Sequence, residues 1–589
     1  MSRENKLLIN AIDNCVDEML EGIVLENPGL QLLENHRVIL REDLFDYRKS
    51  KKVSIICGGG SGHEPFAAGF VGSGMLTAAV AGSVFASPPP NDILAAIRAV
   101  SSPAGVLLIV ANYTGDRLNF GIALERARVA GHHVEMVVVG EDCALESQDK
   151  TAGRRGLVGI VNIMKIAGAL AEEGKTLEDI LLAVEEASTN MGTIGMSLSG
   201  CSIPGSGSSF KLKDNEMELG LGAHGEAGVK RLELLSADDT VNVMFQHITN
   251  PKHTTKLDLA PGSSVAVTIN NLGGMSILEM HVITRKVILL LESHGVTVDR
   301  FYFGHFMTSL DMAGFNLNIL KLNDVILKCL DADTTAPGWP RCCPSFITGN
   351  KRVTKPKLRL AEVKLSTNNA NEEAHADCVS NVILSIIEKA CQALISAEAL
   401  LNDLDTSAGD GDCGTTLKRG ASDVLKSFGN WSNLTASQVF LNLSSCAERS
   451  MGGASGGLYS LFFTAASKNI TQTTLKALTE CLDAGMNAVS RYGGAEPGDR
   501  TLLDALFAAS NTLKQHGSSN DISMVASAVA VETKKAAEAT ANMKAKAGRA
   551  SYVASNLVTQ PDPGATAVAI IFDTISKCLN KMNTTQKVL

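Results

Sequence analysis

The chain reads as two domains of different class: an α/β N-terminal part of two lobes over residues 1–345 and an all-helical bundle over residues 375–582, joined by a linker at 346–374. Three observations predict this. Short β-branched runs alternate with helical stretches through the first part, the intervening segment has no hydrophobic period, and beyond it apolar residues recur at helical spacing. At 589 residues the chain is also too long for a single core.

In the first part, Val53-Ser54-Ile55-Ile56-Cys57 runs into a glycine loop, Gly105 to Val110 runs into Asn112-Tyr113-Thr114-Gly115-Asp116, and Val134 to Val139 follows a helical stretch. Near-continuous apolar strands flanked by helices predict a buried, largely parallel sheet. Later runs, Ser264 to Ile269 and Val296 to Phe303, bracket a helical pattern from Ser276 to His294 and predict a second α/β lobe. The linker is basic at Lys351 to Lys357 and polar at Ser366 to Glu373. After it, Val379, Val382, Ile383, Ile386, Ile387, Ala390 and Leu394 share one helix face. Helical stretches follow over about 436–451, 457–469, 474–491, 501–515, 521–546 and 565–582, which predicts a bundle of six to eight helices.

The formal charge of −9 is spread along the chain, which excludes the clustered basic groove of a nucleic-acid binder. Thirteen cysteines lack metal-ligand spacing, and only Cys342-Cys343 are adjacent. A secretory core and a long apolar run are both missing, so a cytoplasmic chain with reduced thiols and no membrane partner is expected. There is no internal repeat.

The most informative stretch is Ala408-Gly409-Asp410-Gly411-Asp412-Cys413-Gly414, preceded by Asp405. Three carboxylates this close repel one another unless a divalent cation lies between them, and hard oxygen donors without a histidine suit Mg²⁺. The glycines let backbone amides approach an anion. A single Asp-Gly-Asp is equally what a solvated turn looks like. Three further loops open helices: Met451-Gly452-Gly453-Ala454-Ser455-Gly456-Gly457, Pro497-Gly498-Asp499-Arg500-Thr501 and Gln560-Pro561-Asp562-Pro563-Gly564. Each alone is a helix-start signal; together they suit a nucleotide held at one rim. None matches the Walker pattern.

In the α/β part, Gly58-Gly59-Gly60-Ser61-Gly62-His63-Glu64-Pro65 follows a strand, where glycines form a cradle for a small anion or polar ligand. It is not a dinucleotide fingerprint. Asp116 lies just past another strand end. His224, in Leu221-Gly222-Ala223-His224-Gly225-Glu226, sits among residues too small to shield it; such a histidine is either structural or reaches a substrate.

These strings, with Asn112 to Gly121, occur in the order found in the ATP-dependent dihydroxyacetone (triose) kinases, which the chain resembles over essentially its whole length. It is most similar to the bifunctional animal branch, whose members also split FAD into AMP and cyclic riboflavin phosphate. The resemblance implies that His224 traps the ketone of dihydroxyacetone as a hemiaminal, that His63 assists, and that Asp116 takes the proton from the attacking hydroxyl. It implies a substrate loop of Gly60, Ser61, Gly62 and His63, and magnesium carboxylates Asp405, Asp410 and Asp412. Nucleotide contacts fall on Asp410, Gly411, Asp412, Cys413, Ser455, Gly456, Arg500, Thr501, Asp562, Pro563 and Gly564. Implied substrates are dihydroxyacetone, D-glyceraldehyde, ATP and FAD, with Mg²⁺ for the kinase and Mn²⁺ or Co²⁺ for the cyclase. The family forms homodimers in which one subunit's nucleotide domain can serve its neighbour's substrate domain.

Two departures matter. Ala111 stands where the family usually carries a lysine against the substrate hydroxyl, and Gly207 stands where close animal members carry lysine. They motivate an alternative: a catalytically weakened dihydroxyacetone-binding or regulatory homologue.

Overall fold

The computed structural model describes residues 7–145, 153–226, 228–340, 379–407, 409–431, 433–470, 474–553 and 558–586. The chain divides into two compact units, Met1–Lys357 and Leu358–Leu589. The expected linker at 346–374 lies outside the described residues.

The first lobe of the α/β unit is a six-stranded sheet: β1 (Leu30–Leu32), β2 (Val38–Arg41), β3 (Ser54–Ser61), β4 (Ala78–Val84), β5 (Val106–Ala111) and β6 (Val134–Val139). Their order is β1-β2-β4-β3-β5-β6. The four strands from β4 to β6 in that order are parallel, and β1 and β2 add an antiparallel edge. Helices α1 (Cys15–Glu26), α2 (Leu44–Lys49), α3 (Pro90–Val100), α4 (Thr114–Val129), α5 (Gly159–Glu172) and α6 (Leu177–Thr189) accompany it. Why the strands read as unbroken apolar runs is visible in their packing. Ile55, Cys57, Leu107 and Ile109 join the core containing α5 and α6, whereas Ile56, Val106, Leu108 and Val110 join that of α3 and α4. Both faces are buried, so alternation has nothing to distinguish.

The second lobe contains β7 (Met191–Ser197), the short hairpin β8 (Ser202–Ile203) and β9 (Gly207–Ser208), β10 (Glu216–Leu219), β11 (Lys230–Glu233), β12 (Ser264–Asn271), β13 (Thr297–Gly304) and β14 (Gly314–Lys321). Its six-stranded sheet runs β11-β10-β7-β14-β12-β13. Helices α7 (Ala237–Thr249), α8 (Ile277–Ser293) and α9 (Asp324–Asp331) belong to it. The expected βαβ crossover is present, with β12 and β13 parallel around α8, whose start carries a Ser276–Glu279 capping box. The other pairings are antiparallel.

The helical unit has nine α-helices among the described residues: α10 (Asn381–Ser396), α11 (Glu398–Thr406), α12 (Cys413–Ser427), α13 (Ala436–Ser450), α14 (Gly453–Ser467), α15 (Leu475–Gly493), α16 (Leu502–Gln515), α17 (Ile522–Ala539) and α18 (Pro563–Gln586). The expected six to eight fell short because two helices lie outside the expected stretches: the aspartate-bearing α11, set off by a break at Ala397, and α12, which opens directly after the glycine loop. The stretch expected to 546 ends as α17 at Ala539. An apolar cavity of about 560 Å³ runs within the unit, lined by residues including Ile383, Leu394, Leu417, Phe440, Phe462 and Leu579. Ile383 and Ile387 of the expected apolar face are half-buried, packed against the core on one side and bordering this cavity on the other, whereas Val382 of that face is exposed.

Candidate active site

The carboxyl end of β3 carries the glycine loop. Gly62 has φ +97, and a Cβ there would press on the Phe85 ring, so the turn requires glycine. The Ser61 hydroxyl donates to the Gly82 carbonyl at 2.8 Å. The loop after β13 stitches this turn from the other lobe: the amides of Thr308 and Leu310 donate to the carbonyls of His63 and Gly62. His63 is 2% exposed. Its Nδ1 lies 2.8 Å from the Thr308 carbonyl, which only accepts, so Nδ1 carries the hydrogen and Nε2 presents a lone pair. That Nε2 is buried without a hydrogen-bond partner. Burial, and next the nearby His224, push the His63 imidazole down to about 3, so it is neutral.

His224 stands edge-on to His63 at 4.9 Å between ring centres, to Tyr113 at 4.9 Å and to Phe85 at 5.2 Å. Its loop is tied down by Ser309, whose hydroxyl donates to the Ala223 carbonyl at 2.6 Å. Asp116, in the first turn of α4, is 5% exposed and its Oδ1 has no partner. Burial raises its carboxyl, against the opposing pull of the Ser87 hydroxyl and His224. The structure therefore gathers His63 and His224 in one cradle, and places Asp116 close enough for His224 to act on its carboxyl. Two buried acceptors, His63 Nε2 and Asp116 Oδ1, are left without hydrogen-bond partners there. Ala111 ends β5 and is buried against Gly156, so no ammonium stands at that position. Gly207 lies in β9.

In the helical unit, oxygens of Asp405, Asp410 and Asp412 all lie within 4.8 Å of one another. Asp405 closes α11, and its Oδ2 accepts from the amides of Asp412 and Cys413 at 3.1 and 3.2 Å. The N-terminal end of α12 thus positions the first carboxylate. A Cβ at Gly409 would collide with that carboxylate, so a side chain there would push Asp405 out of its present position. The anionic character is felt by Cys413, whose thiol is raised to about 12 by burial and then by Asp405, Asp562, Asp412 and Asp410. Three converging carboxylate oxygens are hard donors that fit a divalent magnesium ion.

The other loops adjoin it. Arg419 of α12 donates to the Met451 carbonyl at 2.8 Å, tying the acidic helix to the loop before α14. Helix α14 begins at Gly453, earlier than expected, so Ser455 lies in its first turn, where amides lack intrahelical acceptors, while the Gly456 amide already donates to the Gly452 carbonyl at 2.9 Å. Arg500 is 1% exposed at φ +63; its Nη2 donates to the Gln560 carbonyl at 2.7 Å, and Nη1 lies 3.8 Å from Asp562. Nε and Nη1 have no hydrogen-bond partner. Thr501 caps α16 in a capping box with Asp504. Asp562 accepts from the Ala565 amide at 2.8 Å at the start of α18, where Pro563 and Gly564 follow, and burial raises its carboxyl to about 6. Side chains that the sequence reading passed over surround the sites: Phe85, Tyr113, Thr308 and Glu226 around the histidines, and Arg419, which links α12 to the Met451 loop. Only Glu226 had a local signal, its place two residues after His224.

Comparison with known proteins agrees with this arrangement. Residues 21–338 match the Dak1 domain and residues 407–577 the DAK2 domain. The chain is 46% identical over 584 residues to the triokinase/FMN cyclase of Homo sapiens, covering 98% of this chain and 99% of the human protein. It is 42% identical to a putative 3,4-dihydroxy-2-butanone kinase of Solanum lycopersicum over 97% of each chain. The crystal structure of the dihydroxyacetone kinase from C. freundii in complex with AMP-PNP and Mg²⁺ superposes with a TM-score of 0.63 at 33% identity, covering 97% of this chain and 99% of that one. With both domains matched and these relatives aligned almost end to end, the chain belongs to the dihydroxyacetone kinase family.

Proposed function

We propose that the protein phosphorylates dihydroxyacetone and D-glyceraldehyde with ATP. The observation that carries this is that one chain holds both a His63–His224 cradle and, in its other unit, a three-aspartate cluster. His224 adds to the carbonyl and anchors a triose that offers few other contacts. His63, fixed as a neutral acceptor at Nε2, receives a substrate hydroxyl hydrogen. Asp116, with a raised carboxyl and a free Oδ1, takes the proton from the attacking hydroxyl. Asp405, Asp410 and Asp412 would hold Mg²⁺, which supplies charge neutralisation on the ATP phosphates. Arg500, Ser455, Gly456, Gly411, Cys413, Thr501 and the Asp562-Pro563-Gly564 loop bind the nucleotide.

The same metal–nucleotide site splits FAD into AMP and riboflavin cyclic 4′,5′-phosphate, with Mn²⁺ or Co²⁺ as alternative metals. FAD carries an ADP-like diphosphate that the acidic cluster suits, and a relative at 46% identity bears the FMN cyclase name. The working form is a cytoplasmic homodimer; no described helix is long and apolar enough to cross a membrane.

Two variants test the scheme. His224→Ala abolishes triose phosphorylation and spares FAD splitting, whereas Asp410→Ala abolishes both. Full triose kinase activity in His224→Ala refutes the hemiaminal role. The buried Ala111 favours a second reading, a ketone-binding regulator without turnover. ADP release on adding dihydroxyacetone and ATP eliminates it.

A further inference from the structure

The loop that bears His224 also bears a carboxylate with no role in the scheme above. Glu226 Oε1 lies 3.1 Å from His224 Nδ1, and Oε2 accepts from the His224 backbone amide at 3.1 Å. An ionised carboxylate only accepts, so the ring hydrogen sits on Nδ1 and the lone pair on Nε2. One side chain therefore fixes both the backbone and the ring of the same histidine. Gly222 makes room for it, since a Cβ there would strike the Glu226 carboxylate. Behind the loop, Arg155 donates from Nε to the buried Asp142 at 2.7 Å and from Nη2 to the Gly220 carbonyl at 2.5 Å. Burial alone would raise the Glu226 carboxyl; the hydrogen bond and charge of His224, with help from Arg155, hold it instead at about 2.

We propose that Glu226, with its loop held by the Asp142–Arg155 pair, is a positioning residue that presents His224 as an Nε2 nucleophile to a ketone and balances the charge the ring acquires. The inference rests on the hemiaminal reading. As the Nε2–carbon bond forms, the carbonyl π pair moves to oxygen, which takes a proton from solvent. The ring keeps its Nδ1 hydrogen and becomes cationic. A carboxylate already hydrogen-bonded at Nδ1 stabilises that cation without moving, as the aspartate does behind a hydrolase imidazole.

The test uses the full-length enzyme with dihydroxyacetone labelled with ¹³C at C2 and no ATP. Carbon NMR reports the fraction of label converted from ketone to tetrahedral carbon, and steady-state kinetics report kcat/KM. Wild type shows the tetrahedral signal. Glu226→Gln lowers adduct occupancy and kcat/KM together, on the order of 10²-fold, with a thermal midpoint near wild type, and Glu226→Asp recovers part of both. A merely structural role would shift the midpoint and leave the remaining folded enzyme forming adduct normally. Wild-type occupancy in folded Glu226→Gln overturns the proposal. Should Glu226→Gln not fold, wild-type occupancy in folded Glu226→Ala, which has no carboxylate at Nδ1, overturns it equally. Absence of tetrahedral signal in the wild type itself removes the hemiaminal reading, and the role of Glu226 with it.

Discussion

His63 gives the most demanding prediction, because its neutrality is a stability statement as well as a chemical one. Its imidazole falls from the ordinary 6.5 to about 3, burial being the first cause. That depression corresponds to roughly 5 kcal/mol of cost for charging the ring inside the fold. Between those two values the unfolded chain binds a proton that the folded chain does not. The contribution is therefore fully present above pH 6.5 and lost as pH falls toward 3. From pH 7 to pH 5 alone, His63 should remove about 2 kcal/mol of stability from the α/β unit. His63→Gln keeps a donor for the Thr308 carbonyl and has nothing to titrate, so the difference between the two proteins isolates this group from all others. The chain has two tryptophans, Trp339 in the α/β unit and Trp431 in the helical unit. In a Trp431→Phe background, urea unfolding followed by Trp339 fluorescence reads the right unit and respects the two-unit architecture. Wild type should lose about 2 kcal/mol more than His63→Gln between pH 7 and pH 5. Parallel pH dependences in the two proteins would refute a buried neutral His63.

Two further outcomes follow from the geometry. Asp116→Asn is close to isosteric and removes only basicity, so under the proposed scheme kcat for triose phosphorylation should drop on the order of 10²–10⁴-fold, while the KM for dihydroxyacetone, which that scheme assigns to His224, stays near wild type in steady-state assays. Gly409→Ala places a methyl group against the Asp405 carboxylate; a magnesium titration of kinase activity should show the half-saturating concentration rising at least about tenfold, which equals 1.4 kcal/mol, with little change in the ketone-dependent step.

Much of this was legible because the chemistry is local in the sequence. The Gly58–Pro65 string, the His224 loop and the Asp405–Asp412 cluster each bring their own glycines and titratable groups within a few residues. The unread parts depend on contacts remote along the chain. His63 owes its tautomer to the Thr308 carbonyl, 245 residues away. Strand β14 escaped notice because Asn316 and Asn318 interrupt its apolar run; both are buried and pair with Asn270 and Thr193 across the sheet. A strand facing a buried polar layer carries the composition of a loop. Helix α11 was invisible for a different reason: helical composition continues through Ala397, and only the backbone breaks there.

Backbone strain marks the same places independently of any titration. Among the described residues, five non-glycine positions have positive φ: Asn35, Lys51, Phe85, Leu310 and Arg500. Asparagine and an exposed lysine in a turn are ordinary occupants of that region. An aromatic, a leucine and a fully buried arginine are not, and each such conformation costs about 1–3 kcal/mol. Phe85 at φ +56 sets its ring 5.0 Å from His63, stacked on it. Leu310, also at φ +56, donates its amide to the Gly62 carbonyl, and both side chains would meet a Cβ at Gly62. Three residues from three distant segments thus define one turn, and relaxing either strained partner would free the His63 loop. Arg500 at φ +63 is bent so that its guanidinium points into the protein toward Gln560 and Asp562, leaving two nitrogens without hydrogen bonds. Burying a guanidinium with two nitrogens lacking hydrogen bonds, its carboxylate partner Asp562 standing 3.8 Å away, is unfavourable for folding alone. On the reading proposed above, a nucleotide phosphate would supply the missing acceptors for Arg500, which gives the strain at this position a ligand-binding rationale.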